Sequence, residues 1–415
     1  MHLTFNGGTV IDGTGSDPVS SAVMVEGERI VAVGRSGRAG PDAEVVDVTG
    51  LTVLPGLIDA HTHLGISYDL TSHASEGVVA AAEIAAGIFH NLALALDAGF
   101  TTCRDLGGLD GGVAGTVARG LVRGPRILPS GPALAQDGGH GTFMAPYSDC
   151  HCPTSIPGLV DGVMVVNGVE EMRLGARKSF RRGATQLKVF TSGGVISLTD
   201  EIDHTQFTVD ELRAAVDEAD ARGTYVTAHA HNSRAIRNGL AAGVRCFEHG
   251  SWLDEETAQQ MAAADASLVP TFAVASLMRT ERERWGLPEA VLPRMEQVES
   301  RMVEAVHLAR AAGVRLGSGS DLIGPRQDHR GLELVIRSRL TDPMDAIVAA
   351  TSVNAQILRR DDLGAVAPGK RADLIVVDGD PLADPKVLDD PDRVVVVVKD
   401  GQLVKNLVGH VGQAG

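Results

Sequence analysis

Residues 225–250 read YVTAHAHNSRAIRNGLAAGVRCFEHG. Two short apolar strands, 225–230 and 245–250, flank a longer helical stretch, and histidine lies at the end of each. Such a unit is the building block of a parallel sheet, because parallel neighbours need a long crossover between them. The same rhythm runs outward in both directions. Upstream lie GLIDAH (56–61), TTCRDL (101–106), RILPSG (126–131) and QLKVFT (186–191). Downstream lie SLVPTF (267–272) and VRLGSGSD (314–321). Helical patterns sit between most of them. TVDELRAAVDEADARG opens with Thr208 and Glu211 at capping-box spacing and stops at Gly223. NLALALDAGF ends a helix at Gly99, and Asp342 before Pro343 starts another. Eight strands with interleaved helices predict an α/β fold, a (β/α)8 TIM barrel over residues 56–362.

The two ends of the chain follow another pattern. Residues 1–55 and 363–415 hold short strands joined by Gly, Asp and Glu turns, as in AVMVEGERIVAVG and RVVVVVKDGQLV. They are expected to pair into one small β-sandwich domain, since chain termini often lie close together. The run Val394 to Val398 needs a sheet partner, because left open it would template aggregation.

Composition sets the outer bounds. A chain of 415 residues that is 44% hydrophobic fills a large core, which excludes a disordered or fibrous protein. With 37 Lys and Arg against 53 Asp and Glu, the net charge is −16, a poor match for nucleic acid. The first residues, MHLTFNGGTVIDGTG, lack a basic segment followed by an apolar one, and no run of apolar residues is long enough to span a membrane. A cytoplasmic protein with no membrane partner is expected. Four cysteines (103, 150, 152 and 246) make no disulfide framework. The run Cys150-His151-Cys152 lacks a second pair and reads as loop thiols in a reducing cytosol.

In a barrel of this kind the working site lies at the C-terminal ends of the strands. His61 and His63 end the first strand and, two apart on an extended chain, point the same way. Lys188 interrupts the apolar fourth strand. The fifth ends in His229-Ala230-His231, the sixth in Glu248-His249-Gly250, and the eighth in Ser320-Asp321. Five of eight strand ends therefore offer a ligand, and imidazole with carboxylate suits zinc or a similar divalent ion. His140 lies in the Gly-Gly-His-Gly loop after strand three, and His231 follows His229 by two residues and should share its orientation. Arg104 either binds a substrate carboxylate or pairs with Asp105 or a neighbouring loop. His204 and Arg326 are further substrate candidates on loops.

These motifs resemble the amidohydrolase superfamily over almost the whole length. LPGLIDAHTH (54–63) is similar to its first-strand motif and LGAVAPGKRADLIVVDGDPL (363–382) to its C-terminal signature. TTCRDLGG, ILPSGPALAQDGGHG, QLKVFTSGGV, AHAH, FEHG and GSDLIG resemble the metal-dependent dipeptidase branch, which includes prolidase-like, Xaa-Arg-dipeptidase-like and ochratoxin-hydrolysing enzymes. The resemblance implies a binuclear site. His61, His63 and Asp321 would hold the more buried ion, and His229 and His249 the second. Lys188, N-carboxylated by CO2, would bridge both. Zinc fits this set, as do manganese and cobalt. A bridging hydroxide would attack the scissile carbonyl, Asp321 would relay its proton to the leaving amine, and His140 and His231 would polarise the carbonyl. Histidine at 231, where prolidase-like relatives can carry tyrosine, weakens the case for proline specificity. Relatives commonly assemble, so a homo-oligomer is expected.

The expected activity is hydrolysis of an amide C–N bond in an N-acyl amino acid or dipeptide. Alternatives are an amidase for aromatic or xenobiotic amides, ochratoxin-like or urea-type, and a cyclic-amide hydrolase of imidazolonepropionase type. A deaminase is disfavoured, because Asn232 stands three after His229 where an acid would be needed. A non-catalytic scaffold would have lost ligands, and this chain keeps one at every position.

Overall fold

The computed structural model describes residues 2–34, 43–67, 79–142, 155–197, 199–281, 292–324 and 327–408. Cys150, His151, Cys152 and Arg326 lie outside them. The eight strands read from the sequence form β1 (Leu57–Thr62), β2 (Phe100–Asp105), β3 (Arg126–Pro129), β4 (Leu187–Phe190), β5 (Val226–Asn232), β6 (Cys246–Trp252), β7 (Ser267–Val269) and β8 (Arg315–Leu316). Neighbours pair in parallel: Leu128 faces Arg104, Phe190 faces His229, Ala230 faces His249, and Leu268 faces Leu316. The ring closes where the Ala60 N–H donates to the Ser318 carbonyl (3.0 Å) and the Asp321 N–H to the His61 carbonyl (2.8 Å). Between β3 and β4, a short strand at Ala133–Ala135 sets Leu134 against Val189. Every residue of β1, β2 and β4 is buried, as expected of strands covered on both faces.

Helices alternate with these strands, beginning with α1 (Ala81–Asp97), α2 (Gly111–Ala118) and α3 (Gly168–Arg181). Helix α4 (Val209–Asp220) carries the complete capping box of Thr208 and Glu211. Helix α5 (Ser233–Ala242) is capped by Asn232, whose side chain accepts the Ala235 N–H at 2.9 Å. The residue that argued against a deaminase therefore has a structural task. Helix α6 (Glu255–Ala263) follows β6. Helices α7 (Phe272–Thr280) and α8 (Leu292–Ala312) follow β7, and α9 (Leu332–Leu340) and α10 (Pro343–Val348) follow β8. Asp342 caps α10 with Pro343 in its first turn, as its sequence predicts.

The chain ends build two further sheets. One has four strands from residues 2–47. The other has six, placing 402–406, 394–399, 374–377, 52–55, 9–10 and 19–20 side by side. The Val394–Val398 run thus lies between two partners. Alternation divides the six-stranded sheet: Val53, Leu374, Val376 and Val396 join Leu3, Phe5, Val23 and Ile30 of the four-stranded sheet in one apolar cluster. Leu54, Ile375 and Val397 point the other way and pack with Ile88 and Leu92 of α1 and Phe100 of β2. Among the described residues, no helix is long and apolar enough to cross a membrane.

Candidate metal centre

Strand β1 alternates through Asp59, His61 and His63, which places all three on one side. The Nε2 atoms of His61 and His63 lie 3.3 Å apart. Asp321 Oδ1 is 3.3 Å from the first and 3.2 Å from the second. Asp321 Oδ2 is 3.9 Å from His249 Nδ1. His229, His231 and His249 form a second group whose ligand-type atoms all lie within 4.8 Å of one another. Ring centroids separate His229 from His249 by 4.6 Å and His61 from His249 by 5.0 Å, joining the two groups. His249 and Asp321 both hold left-handed backbone, at φ 69° and 55°. Such conformations cost roughly 1–3 kcal/mol each and cluster at functional sites. Close approach also requires glycine: a Cβ on Gly319 would sit 2.5 Å from the His61 Cβ, and one on Gly194 2.1 Å from His140 Cε1.

Each imidazole is turned by a partner behind it. His61 donates from Nδ1 to Glu248 Oε2 (2.8 Å) and His63 from Nδ1 to the Gly107 carbonyl (2.7 Å). His229 donates from Nε2 to the Gly193 carbonyl (3.2 Å). His231 Nδ1 meets the Ser251 hydroxyl at 3.0 Å, and His249 Nδ1 meets that of Thr271 at 2.8 Å. Asp59 latches the two strands that close the barrel: Oδ1 accepts the backbone N–H groups of His61 and Ser320, and Oδ2 accepts the Arg330 guanidinium at 2.8 Å. Asp105 accepts the Leu64 and Leu109 N–H groups and so holds the loop that carries Gly107.

Burial favours the neutral imidazole at four of these histidines. Burial, with neighbouring histidines adding to it, drives His229 and His249 well below the usual imidazole range. Burial likewise pushes His140 and His231 down to about 3. His61 goes up: burial and Lys188 oppose its proton, but Asp321 and Glu248 outweigh them. Asp321 is held well below the carboxylate range, because His61 and His63 overcome its burial. Lys188 is 1% exposed and, among the described residues, meets no hydrogen-bond acceptor or carboxylate; the nearby Phe190 ring lies 5.8 Å from its Nζ. Burial lowers its ammonium to about 8, against the pull of Glu248 and Asp321. His229 and His249, held neutral with free lone pairs beside the ionised Asp321, are in the state in which such side chains take up a divalent ion, so the donor set fits one.

The other sequence candidates separate clearly. His140 stacks on His229 (centroids 4.4 Å apart, planes 24°) and, with His231, lines the same pocket. Arg104 does not reach it. Completely buried beneath the centre, it donates to Glu248 Oε1 (2.7 Å), the Ala60 carbonyl (2.5 Å) and the Tyr225 hydroxyl (3.3 Å). Arg104 is absent from the pocket lining, so its role is the structural one of its two candidate roles, with Glu248 rather than Asp105 as the acid it pairs with. His204 is exposed, accepts the Glu201 N–H on Nδ1, and lies outside the pocket lining. Arg326 falls outside the described residues. Glu248, Asp59, Arg330 and Thr271 carry the support and were not singled out from the sequence. The available signal was the presence of charges inside apolar strands, which are rarely buried unless paired.

Above the histidines the pocket wall is apolar. Val274 and Met278 of α7, Met295 and Met302 of α8, Ile196 and Ile323 line it. Lys188 is the one Lys or Arg among the described lining residues. Helix α7 is held by Glu333 of α9, whose Oε2 accepts the Ala273 N–H at 2.9 Å, two residues from Thr271. Burial raises Glu333 to about 8, against Arg337 and the α7 N–H groups. An unfolded chain releases this proton near 4.5 and the folded one near 8, so the folded state carries the extra proton between them and stability falls as pH rises through that window. Glu333→Gln is expected to flatten this dependence by on the order of a few kcal/mol. Denaturant unfolding at about pH 5 and about pH 8 checks it.

Residues 52–404 match the Amidohydrolase family. The chain is 30% identical to the ochratoxinase of Aspergillus niger over 426 aligned positions, covering 96% of this chain and 85% of that one. It is 27% identical to the imidazolonepropionase of Streptomyces coelicolor, covering 86% and 85%. Among solved structures, a prolidase complexed with N-methylphosphonate-L-proline superposes with a TM-score of 0.90 at 38% identity, over 98% of this chain and all of the other. The chain therefore belongs to the amidohydrolase family, the metal-dependent hydrolases of C–N bonds.

Proposed function

We propose that the protein is a binuclear hydrolase of N-acyl amino acids or dipeptides with a large apolar side chain or acyl group. The observation that carries this reading is the meeting of His61 Nε2, His63 Nε2 and Asp321 Oδ1 within 3.3 Å, in one pocket with an unpartnered, buried Lys188. In this reading His61, His63 and Asp321 hold one ion, His229 and His249 the other, and a carboxylated Lys188 lies between them. When bound, the pair of divalent ions (zinc, or manganese or cobalt) supplies Lewis acidity and makes water acidic enough to lose a proton near neutral pH. Carboxylation supplies the missing partner for Lys188: an ammonium would be repelled by two dications, whereas a carbamate is drawn to them.

The chain's own residues do the rest. Asp321 Oδ2 takes the proton of the attacking water and delivers it to the departing amine, so that water and amide become a carboxylic acid and an amine, which ionise to carboxylate and ammonium. In this reading the Ser251 hydroxyl donates to His231 Nδ1, which leaves the ring proton on Nε2 to hydrogen-bond the carbonyl oxygen as charge develops there. His140, stacked on His229, polarises the same carbonyl. Residues 1–55 and 363–415 would make a β-sandwich domain docked on the 56–362 barrel, in a cytoplasmic homo-oligomer.

A second reading is favoured by the wall itself. An apolar pocket whose described lining offers no guanidinium suits an aromatic amide, and the A. niger relative is an ochratoxinase. One panel separates the readings: zinc-loaded protein against N-acyl amino acids, dipeptides, aryl amides and the cyclic imidazolonepropionate. The first reading expects turnover of apolar dipeptides, and preference for an aryl amide over every dipeptide supports the second. A charged group at the wall is expected to lower kcat/KM by roughly 10²-fold, because a buried charge there finds no partner. No turnover across the panel would overturn both.

A further inference from the structure

The five imidazoles at the centre do not lean on equal partners. His63 and His229 donate to backbone carbonyls, and His231 and His249 meet hydroxyls. His61 alone leans on a carboxylate, Glu248. That carboxylate is itself locked. Among the described residues Oε2 takes only the His61 Nδ1–H, while Oε1 takes Arg104 Nη2 at 2.7 Å, the Thr227 hydroxyl and, at 3.6 Å, the Cys246 thiol. Arg104 is fixed in turn by the Ala60 carbonyl, on the strand that carries His61. All three side chains are completely buried. A carboxylate behind a ligating histidine fixes its tautomer and strengthens it as an electron donor. Pairing with Arg104 makes a buried carboxylate affordable and leaves one oxygen aimed at the ring.

We propose that Glu248, anchored by Arg104, is a positioning residue for His61 and sets the affinity of the metal site that His61 shares with His63 and Asp321. The proposal rests on the binuclear reading above. It makes the two sites unequal: the His61 site, backed by charge, binds more tightly than the His229 and His249 site, backed by neutral groups. An ion pair that served only to fill the core would stabilise the fold and leave metal binding alone.

The test titrates full-length, metal-stripped protein with zinc chloride against a chromophoric chelator. Wild type is expected to take two equivalents of unequal affinity. Glu248→Gln keeps the shape and removes the charge, and is expected to weaken the tighter equivalent by about 10–100-fold while leaving the other unchanged. Glu248→Asp is expected to recover part of the loss. Because Glu248→Gln leaves Arg104 unpaired in the core, the double variant Arg104→Met with Glu248→Gln is measured beside it and is expected to show the same one-site loss. Wild-type affinity for both equivalents in either folded variant overturns the proposal, as does equal weakening of both. One measurement needs no substitution: zinc-loaded wild type is expected to show a slowly exchanging, far-downfield imidazole N–H proton at His61 Nδ1, and its absence counts as a refutation. A wild type that takes up no zinc defeats the binuclear reading itself, a different result from one that takes up two equivalents with variants indistinguishable from it.

Discussion

Alanine in place of Lys188 is expected to lower kcat/KM by roughly 10³-fold, the scale of losing a group that stabilises developing charge in a water-excluded site. The side chain stands in β4 where its neighbours are apolar, and no described residue meets its ammonium in a hydrogen bond or a close ion pair. A lysine so placed has only the more distant pull of Glu248 and Asp321 to set against its burial, unless something converts it. With its ammonium lowered to about 8, a usable share of the amine is neutral and able to add CO2. Lys188→Arg retains a cation, cannot form the carbamate, and is expected to be equally inactive. Short carboxylic acids such as acetate or propionate are expected to restore part of the activity of Lys188→Ala by occupying the vacated place. Steady-state kinetics after zinc repletion, together with a carbamate resonance from 13C-bicarbonate in the wild type, makes the check. Full activity in Lys188→Ala, or active zinc-loaded wild type without the carbamate, would remove the bridge from the mechanism.

Asparagine in place of Asp321 is expected to lower kcat by about 10²–10⁴-fold, the range for loss of a general acid–base group. The substitution is well matched to its position. Asparagine tolerates the φ of 55° found here and keeps an oxygen where Oδ1 lies between His61 and His63. The fold should therefore survive, and what is lost is the capacity to take a proton on Oδ2. Metal content is to be measured alongside kcat: a variant that keeps its zinc and loses kcat isolates the proton relay, whereas one that keeps both would assign the relay to another group.

Much of this site is legible in the sequence because the barrel imposes simple rules. Period-two alternation puts His61 and His63 on one side of β1, and strand ends collect the rest. The capping box at Thr208 and the Asp342–Pro343 start mark helices α4 and α10 by purely local chemistry. What sequence does not display is the layer beneath. Glu248 and His61 are 187 residues apart, and Arg330 and Asp59 are 271 apart. Neither pairing has a local signature, since both exist only once β1 has closed against β8 and β6 has taken its place in the ring. Arg104 shows the same limit. Its charge promised an ion pair or a substrate contact, and only the depth of β2 in the barrel decides between them. His204 is a substrate candidate by its place in the loop after strand four, but it lies on an exposed turn that is held by its own backbone and ring.

Strand β1 does not begin at the barrel. Thr52–Pro55 belongs to the outer six-stranded sheet, and after Gly56 the same ribbon continues as Leu57–Thr62 to the histidines. At the junction the Gly56 N–H donates to the Asp373 carbonyl, and a Cβ there would fall 2.2 Å from the Thr101 hydroxyl oxygen. The terminal segments are thus not a detachable module. Trimming either end, or grafting this barrel onto the termini of a cousin, tugs on the one ribbon whose last two histidines line the pocket, so shuffling within this lineage has to exchange the head and tail together with the barrel they grip.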